Sequence, residues 1–386
     1  MTPTAVVSRR GLDRINAGHP WIYRSDVLSV TAEPGDLVRV VGERERPAGW
    51  AFFSRDSQIT LRLVSHENAI DERALIRERL QRAIAYRATL GIDATAYRLV
   101  HAEADLLPSL IVDRYGEYLV VQTLSQGVDR RLSLIVELLV AVLQPHGILA
   151  RNDPKVRRLE GLEERVEVVH GDVPDLIETR EGAATYLVDV RLGQKTGLFL
   201  DQRENHLAAA AYARGRALDA FTYHGGFALA MAGRCESVLA LDSSAAAVAS
   251  TQQNAHRNGV SNVVVREANV FDELRELYVS GERFDTIVLD PPAFARNRGA
   301  VERALSGYKE INLRAFKLLR PGGILLTCSC SYNVDEPLFL DVVGAAAADA
   351  QVTVSVVEKR MQARDHPVLL NVPETYYLKC LVLRRV

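Results

Sequence analysis

Residues 217–227 read ALDAFTYHGGF. A short apolar run closes on an acid, Asp219. A polar and aromatic turn follows, then two glycines, and apolar residues resume in FALAMAG. That order predicts a strand, a tight turn and a helix. Open parallel sheets bind ligands beyond the carboxyl ends of their strands, near the point where strand order reverses. The turn is not G-x-G-x-x-G, the pattern a pyrophosphate wants together with a free helix N-terminus. An acid here repels phosphate and pairs with an ammonium group.

The alternation continues outward. NHLAAAAYA (205–213) predicts a helix before the strand. After it come SVLALD as strand, AAAVASTQQNAHRNG as helix, NVVVREAN as strand, FDTIVLD as strand, INLRAFKLLRPGG as helix and ILLTCSC as strand. Apolar strands alternating with helices predict a parallel sheet covered on both faces. Asp242 ends its strand in ALDSS, with Ser243 beside it, where an acid accepts ribose hydroxyls. EANVF sets Asn269, Val270 and Phe271 around an adenine. Asp290, Pro291 and Pro292 follow the fourth strand. Phe221, Tyr223, Gly225, Gly226 and Phe227 complete the turn. A nucleoside with an amino-acid tail and no phosphate fits this set. S-adenosylmethionine is such a ligand, and its positive groups favour nearby carboxylates. Each acid alone reads better as a strand-end cap or turn former; Asp219, Gly225, Gly226, Asp242 and Asp290 in register favour the cofactor.

Upstream the character differs. Residues 1–68 carry strand-type runs (DLVRVVG, QITLRLVS) between turns (EPGD, ERERPAG), which predicts a small β-barrel with Trp21 and Tyr23 in its core. Residues 69–185 read as an α+β region. A helix spans 71–90 with Ala74, Ile76, Leu80, Ile84 and Leu90 near helical spacing and Gly91 as its stop. Two strands joined by DRYGE, a helix in RRLSLIVELLVAVLQPHG and a return to strands follow. Residues 186–386 then form the α/β domain.

Of 386 residues, 48% are hydrophobic and 25% charged, an ordinary globular balance. No apolar run reaches the eighteen residues of a membrane span. The start MTPTAVVSRRGLDR lacks a signal-peptide core, and four cysteines make no disulfide framework, so a cytoplasmic setting is expected. A net charge of −2 does not announce a nucleic-acid binder, although residues 1–65 hold nine arginines against seven acids.

RLGQKTGLFLDQREN, LDAFTYHGGF, LDPPAF, GYKEIN and LLTCSCS together resemble the RlmI-like class I methyltransferases that act on cytosine of large-subunit ribosomal RNA. GHPWIY, LPSLIVDRYG and DPKVRRLEGL extend the likeness over nearly the whole chain. The resemblance implies an α/β fold: a Rossmann-like class I methyltransferase domain preceded by a β-rich PUA-like RNA-binding barrel and a small α+β middle domain. It implies ribosomal RNA as partner, free or within a particle, and leaves a homodimer open. It places Lys195, Phe199, Asp201 and Arg203 along the cofactor and substrate cleft. Two departures stand out: Ala293 where relatives often have lysine, and Asn269 where aspartate is common.

Carbon 5 of cytosine is a poor nucleophile. A thiolate added to carbon 6 makes carbon 5 enamine-like, so that it takes a methyl group. The family motif puts that thiol at Cys330, and Cys330 is also nearer than Cys328 to the strand's carboxyl end. Cys328, Cys235 and Cys380 read as packing residues. A metal reading of C-x-C needs further ligands that the sequence does not pair with it. Asp290 is expected to hold the cytosine ring nitrogen or amine. Pro292 and Phe294 are expected to border the base, and Lys309 to meet RNA phosphate. The target must leave its stack, at about a few kcal/mol. Two other readings keep their place. An exocyclic-amine or guanine methyltransferase would use the acid-Pro-Pro loop with Phe294 and need no cysteine. A non-catalytic RNA-binding assembly factor would retain only the pocket. A nicotinamide dehydrogenase stands third, for want of the phosphate loop.

Overall fold

The computed structural model describes residues 2–295 and 298–386. The chain divides into two compact units. One comprises Met1–Thr179, Val188–Leu198 and Asp365–Thr375; the other comprises Arg180–Leu187, Phe199–Arg364 and Tyr376–Val386.

The first unit begins with β1 (Thr4–Val7), α1 (Arg9–Asn16), β2 (Trp21–Tyr23), β3 (Val27–Thr31), β4 (Leu37–Gly42), β5 (Pro47–Phe53) and β6 (Ile59–Ser65). Its sheet runs β2-β6-β5-β4-β1-β3, with β1 parallel to β4. Helix α1 was not legible in the sequence. It has only eight residues, mostly polar, and is started by the Ser8 side chain accepting from the Gly11 N–H. Trp21 and Tyr23 depart from the expected core position. Strand alternation turns Ile22 into the core and leaves its two neighbours half-buried on the opposite face. There the Trp21 indole donates to Glu103 at 3.0 Å, and the Arg14 guanidinium lies over the Tyr23 ring.

The same unit continues with α2 (Glu72–Ala88), β7 (Ala96–His101), β8 (Leu110–Tyr115), β9 (Tyr118–Thr123), α3 (Gln126–Asp129), α4 (Leu132–Leu143), β10 (Gly147–Asn152) and β11 (Arg165–Gly171). The sheet order is β11-β10-β9-β8-β7. Ile76 and Leu80 of α2 and Ile135, Leu138 and Leu139 of α4 join one apolar cluster with Val100, Val112 and Val121. That cluster is why α2 forms: its sequence pattern delivers one buried stripe. Strands β12 (Leu176–Glu181) and β13 (Ala184–Asp189) pair with each other.

The second unit holds α5 (Arg203–Tyr212), β14 (Arg216–Ala220), α6 (Gly226–Ala232), β15 (Ser237–Asp242), α7 (Ala245–Arg257), β16 (Val263–Glu267), α8 (Val270–Val279), β17 (Phe284–Leu289), α9 (Val301–Leu318), β18 (Leu319–Ser329), α10 (Glu336–Asp349), β19 (Val354–Met361) and β20 (Lys379–Arg385). The sheet order is β16-β15-β14-β17-β18-β20-β19. Strands β14 to β18 are parallel as expected. The sheet is nevertheless mixed, because β20 runs antiparallel to both β18 and β19. Arg320–Gly323, expected as the end of the helix INLRAFKLLRPGG, lie inside β18. Its register moves from Leu319↔Phe284 to Ile324↔Thr286, so the tetrapeptide swells out of the ladder without ending the strand.

Two apolar layers cover the sheet. Leu218, Leu241, Ile287, Leu289 and Leu325 face α8, α9 and α10. Ala217, Ala240, Val288, Leu326 and Cys328 face α5 and α6. Side chains alternate along a strand. By that period Asp219, Asp242, Asp290 and Cys330 fall on the α5/α6 side at the carboxyl ends, while Ser329 falls on the α9 side.

Candidate active site

The loop after β14 is held under strain. Phe221, Tyr223 and Gly225 all have positive φ, at 68°, 53° and 87°. Such conformations cost about 1–3 kcal/mol each at non-glycine residues and persist where neighbours over-determine them. Here the Tyr223 N–H donates to Asp242 at 3.0 Å, Thr251 Oγ1 donates to the Tyr223 carbonyl at 2.8 Å, and Asn254 Nδ2 donates to the His224 carbonyl at 3.0 Å. A Cβ on Gly226 would meet His206 Cε1 at 2.5 Å, and one on Gly225 would meet Thr251 Cγ2 at 2.9 Å. Both glycines are therefore required by close approach.

Asp219 sits fully buried under this loop. Its Oδ2 accepts from Thr222 Oγ1 at 2.6 Å and from the Ala228 N–H at 2.9 Å. Its Oδ1 is buried with no hydrogen-bond partner. Burial pushes the carboxyl up to about 6, against the pull of those two bonds and of His206. His206 donates or accepts at Nδ1 with Glu181 at 2.7 Å and packs on the Phe227 ring at 4.5 Å. Burial disfavours a charge on His206, yet Glu181, Asp290 and Asp219 together hold its pKa above the ordinary value.

Asp242 and Asp290 stand level with one another, each two residues beyond the level of Asp219. Asp242 is half-buried, and each of its oxygens accepts one backbone N–H, from Tyr223 and Ser244. Each carboxylate oxygen keeps acceptor capacity for a hydroxyl. Ser243 is exposed beside it. Asn269 caps α8, its Oδ1 accepting from the Phe271 and Asp272 N–H groups, and Val270 is buried behind it. Asp290 Oδ1 accepts from Gln202 Nε2 at 2.8 Å. Phe199 meets the Tyr223 ring edge-on at 5.0 Å. Asp201 is buried and accepts from the Tyr377 hydroxyl at 2.6 Å, and Arg203 is buried at the start of α5.

Cys330 lies one residue past β18, half-buried, with its Sγ 3.9 Å from the Pro291 carbonyl oxygen. Its two serine neighbours fix it. Ser329 Oγ donates to the Tyr308 hydroxyl at 3.0 Å, and Ser331 Oγ bonds that hydroxyl at 2.9 Å and accepts from the Ala295 N–H at 3.1 Å. Tyr308, Ser329 and Ser331 are all fully buried. Burial pushes the phenol up to about 12, so it stays neutral. Phe294 lies tilted against Tyr308 at 4.8 Å and against Phe271 at 5.9 Å, so the ring expected beside the base belongs to this aromatic row. Cys328 is buried and paired in register with Cys380; hydrogen bonding to that thiol, then burial, holds it well above the ordinary thiol range.

Sequence reasoning missed Tyr308, Gln202, His206, Tyr377 and Lys379. Tyr308 had a signal, since it lies in GYKEIN beside a lysine that drew attention instead. The structure gives that Lys309 to Asp349 on α10, at 2.8 Å. Lys195 belongs to the first unit, exposed at φ 52° in a turn where Thr196 is buried against Asp113 and Tyr115. Pro291 is buried and Pro292 exposed in the loop before Phe294.

A buried carboxylate oxygen that lacks a partner suits an ammonium group, a half-buried acid with spare acceptors suits ribose, and the constricted loop leaves no phosphate cradle. These residues fit S-adenosylmethionine, and with the strand order they define a methyltransferase domain of Rossmann-like fold. Comparison with known proteins agrees. Residues 161–384 match the S-adenosylmethionine-dependent methyltransferase family and residues 6–66 the PUA-like domain. The ribosomal RNA large subunit methyltransferase I of Tolumonas auensis is 40% identical over 95% of this chain and 96% of its own length. That of Vibrio cholerae is 38% identical over 99% and 100%. SMU.776, assigned as a methyltransferase and crystallised complexed with SAH, shares the fold at a TM-score of 0.86 with 19% identity over the whole of both chains. The chain belongs to the S-adenosylmethionine-dependent methyltransferases, in the family of the large-subunit methyltransferase I proteins. Among the described residues no helix is long and apolar enough to cross a membrane.

Proposed function

We propose that this enzyme methylates carbon 5 of a cytosine in large-subunit ribosomal RNA, with Cys330 as covalent nucleophile. The observation that carries the reading is the clamp on that thiol. Ser329 and Ser331 are tied to one buried phenol, and the cysteine between them is left half-buried beside the Asp290–Pro291 loop. A packing cysteine needs no such clamp.

S-adenosylmethionine, held by Asp219 and Asp242, supplies an electrophilic methyl group when bound. The protein's task is to activate the base. The Cys330 thiolate bonds to carbon 6, and the ring's π pair shifts toward carbon 5, which takes the methyl group. Loss of the carbon 5 proton restores the double bond and expels the thiolate. Asp290, oriented by Gln202, serves in its protonated form, donating to the cytosine ring nitrogen and so keeping the ring electron-poor at carbon 6. The PUA-like domain and the α+β region supply shape and phosphate contacts to a flipped-out base. The names of the relatives support ribosomal RNA as substrate. Phe294, in tilted contact with the rings of Phe271 and Tyr308, favours this reading over an exocyclic-amine methyltransferase that would stack the base on it. Replacing Cys330 by alanine is expected to abolish methyl transfer to RNA and leave cofactor binding intact. Full activity in Cys330→Ala would move the assignment to the amine reading.

A further inference from the structure

Lys379 is the first residue of β20, paired in register with Ser329, and its side chain is almost fully buried. Its ammonium donates to the Ser331 carbonyl at 2.8 Å and to the Tyr377 carbonyl at 2.9 Å. Those partners are neutral, so a buried cation here is not explained as half of an ordinary ion pair. The Ser331 carbonyl belongs to the residue that follows Cys330. Tyr377 in turn is tied to Asp201 through its hydroxyl. The amine thus bridges the segment bearing the thiol to the C-terminal strand.

We infer that Lys379 is a positioning residue for Cys330: seated on the Ser331 and Tyr377 carbonyls, its buried ammonium fixes the turn that aims the thiol and supplies the positive field that favours the thiolate. This rests on the reading of Cys330 as nucleophile. The charges around the thiol come from several elements. Asp290 follows β17 and, when ionised, disfavours a thiolate at the neighbouring Cys328. Tyr308 on α9 and Cys328 in β18 are held neutral by their surroundings. Asp335 and Glu336, at the start of α10, act on Lys379 and favour its charged form, as does Cys330 itself. Burial works the other way and draws the amine down to about 8, so it remains mostly charged at neutral pH. The Cys330 and Lys379 charges are therefore mutually supporting, and the assistance fades as pH rises through that value.

The test is the pH profile of Cys330 alkylation by iodoacetamide in the intact protein, read on the Cys330 peptide by mass spectrometry. Three proteins are compared: wild type, Lys379→Met and Lys379→Arg. The wild-type midpoint is expected below the free-thiol value of about 8.5. Lys379→Met should raise it by about one pH unit, a roughly tenfold slower reaction at neutral pH. Lys379→Arg should keep most of the wild-type profile. A wild-type midpoint at or above about 8.5 overturns the inference whether or not the methionine variant folds. So does an equal shift in both variants, which would assign Lys379 to packing alone. The nucleophile reading is judged separately by the activity of Cys330→Ala, which the alkylation profile does not enter.

Discussion

Tyr308→Phe isolates the clamp. The substitution removes one oxygen and keeps the ring, so the tilted contact with Phe294 at 4.8 Å and the edge contact with Phe339 at 5.4 Å remain. What goes is the shared partner of two buried serine hydroxyls, at 3.0 and 2.9 Å. Each such bond contributes about 1 kcal/mol net, and a buried hydroxyl left without a partner costs about as much again or more, so the local loss is about 2–4 kcal/mol. Ser331 keeps the Ala295 N–H and Ser329 keeps the Ser331 N–H at 3.4 Å, so each oxygen retains one backbone donor and the loss falls on the hydroxyl bonds to the phenol. The catalytic consequence is larger than the stability cost implies, because a displacement of about 1 Å at a reacting group costs about a hundredfold in rate. Single-turnover methylation of ribosomal RNA should therefore fall by about ten- to a hundredfold, while calorimetry finds cofactor affinity unchanged. Amide exchange should quicken at Ser329 to Ser331 and nowhere along β14. Wild-type turnover together with wild-type exchange at those amides would refute the claim that the serines aim the thiol.

Asp219 makes cofactor binding sensitive to acid. Its carboxyl is raised to about 6 mainly by burial, so the free protein gains stability on protonation, a contribution present at low pH and lost as pH rises through that value. Binding of the cofactor ammonium has the opposite sign, since it requires the carboxylate. Calorimetric affinity for S-adenosylmethionine should weaken as pH falls below about 6, and Asp219→Asn should be weak and nearly flat; a flat wild-type profile would contradict this. Gly226→Ala should lose cofactor binding and thermal stability, because the new methyl lands 2.5 Å from His206 Cε1 in a ring held by Glu181; an unchanged melting temperature would contradict it. Asn269→Ala should cost about 1 kcal/mol through loss of the α8 cap, whereas Asn269→Asp, an equally good cap, should be nearly neutral in chemical denaturation.

The parallel half of the sheet was legible because β14, β15, β17 and β18 bury most of both faces and so read as apolar runs, and the edge strand β16 still carries its three valines. The acids were legible because each closes such a run. Strands β19 and β20 were not, since their apolar residues gain meaning only through pairing with β18, which no local period announces. Lys379 and Tyr377 share that history, each reaching the site from the C-terminal segment, whereas Gln202 stood between two residues already assigned to the cleft and was passed over. Trp21 and Tyr23 were misplaced for a simpler reason: they share one face of the strand, and it is the opposite face, carrying Ile22, that meets the core. Asp201 was expected beside the cofactor by resemblance, and the structure gives its carboxylate a buried contact with Tyr377. The flanking serines of Ser329-Cys330-Ser331 drew no reading from the sequence. Only the position of Tyr308 across the layer on α9 gives them work.

Covalent capture tests the central claim most directly. Ribosomal RNA carrying 5-fluorocytidine cannot lose the carbon 5 substituent as a proton, so the bond between sulfur and carbon 6 should persist once a methyl group has been taken up. Incubated with S-adenosylmethionine and this RNA, the enzyme should yield a stable adduct whose mass maps to the peptide bearing Cys330. Methylation of ordinary ribosomal RNA with no adduct on the fluorinated RNA, or an adduct mapped to Cys328, would contradict the account.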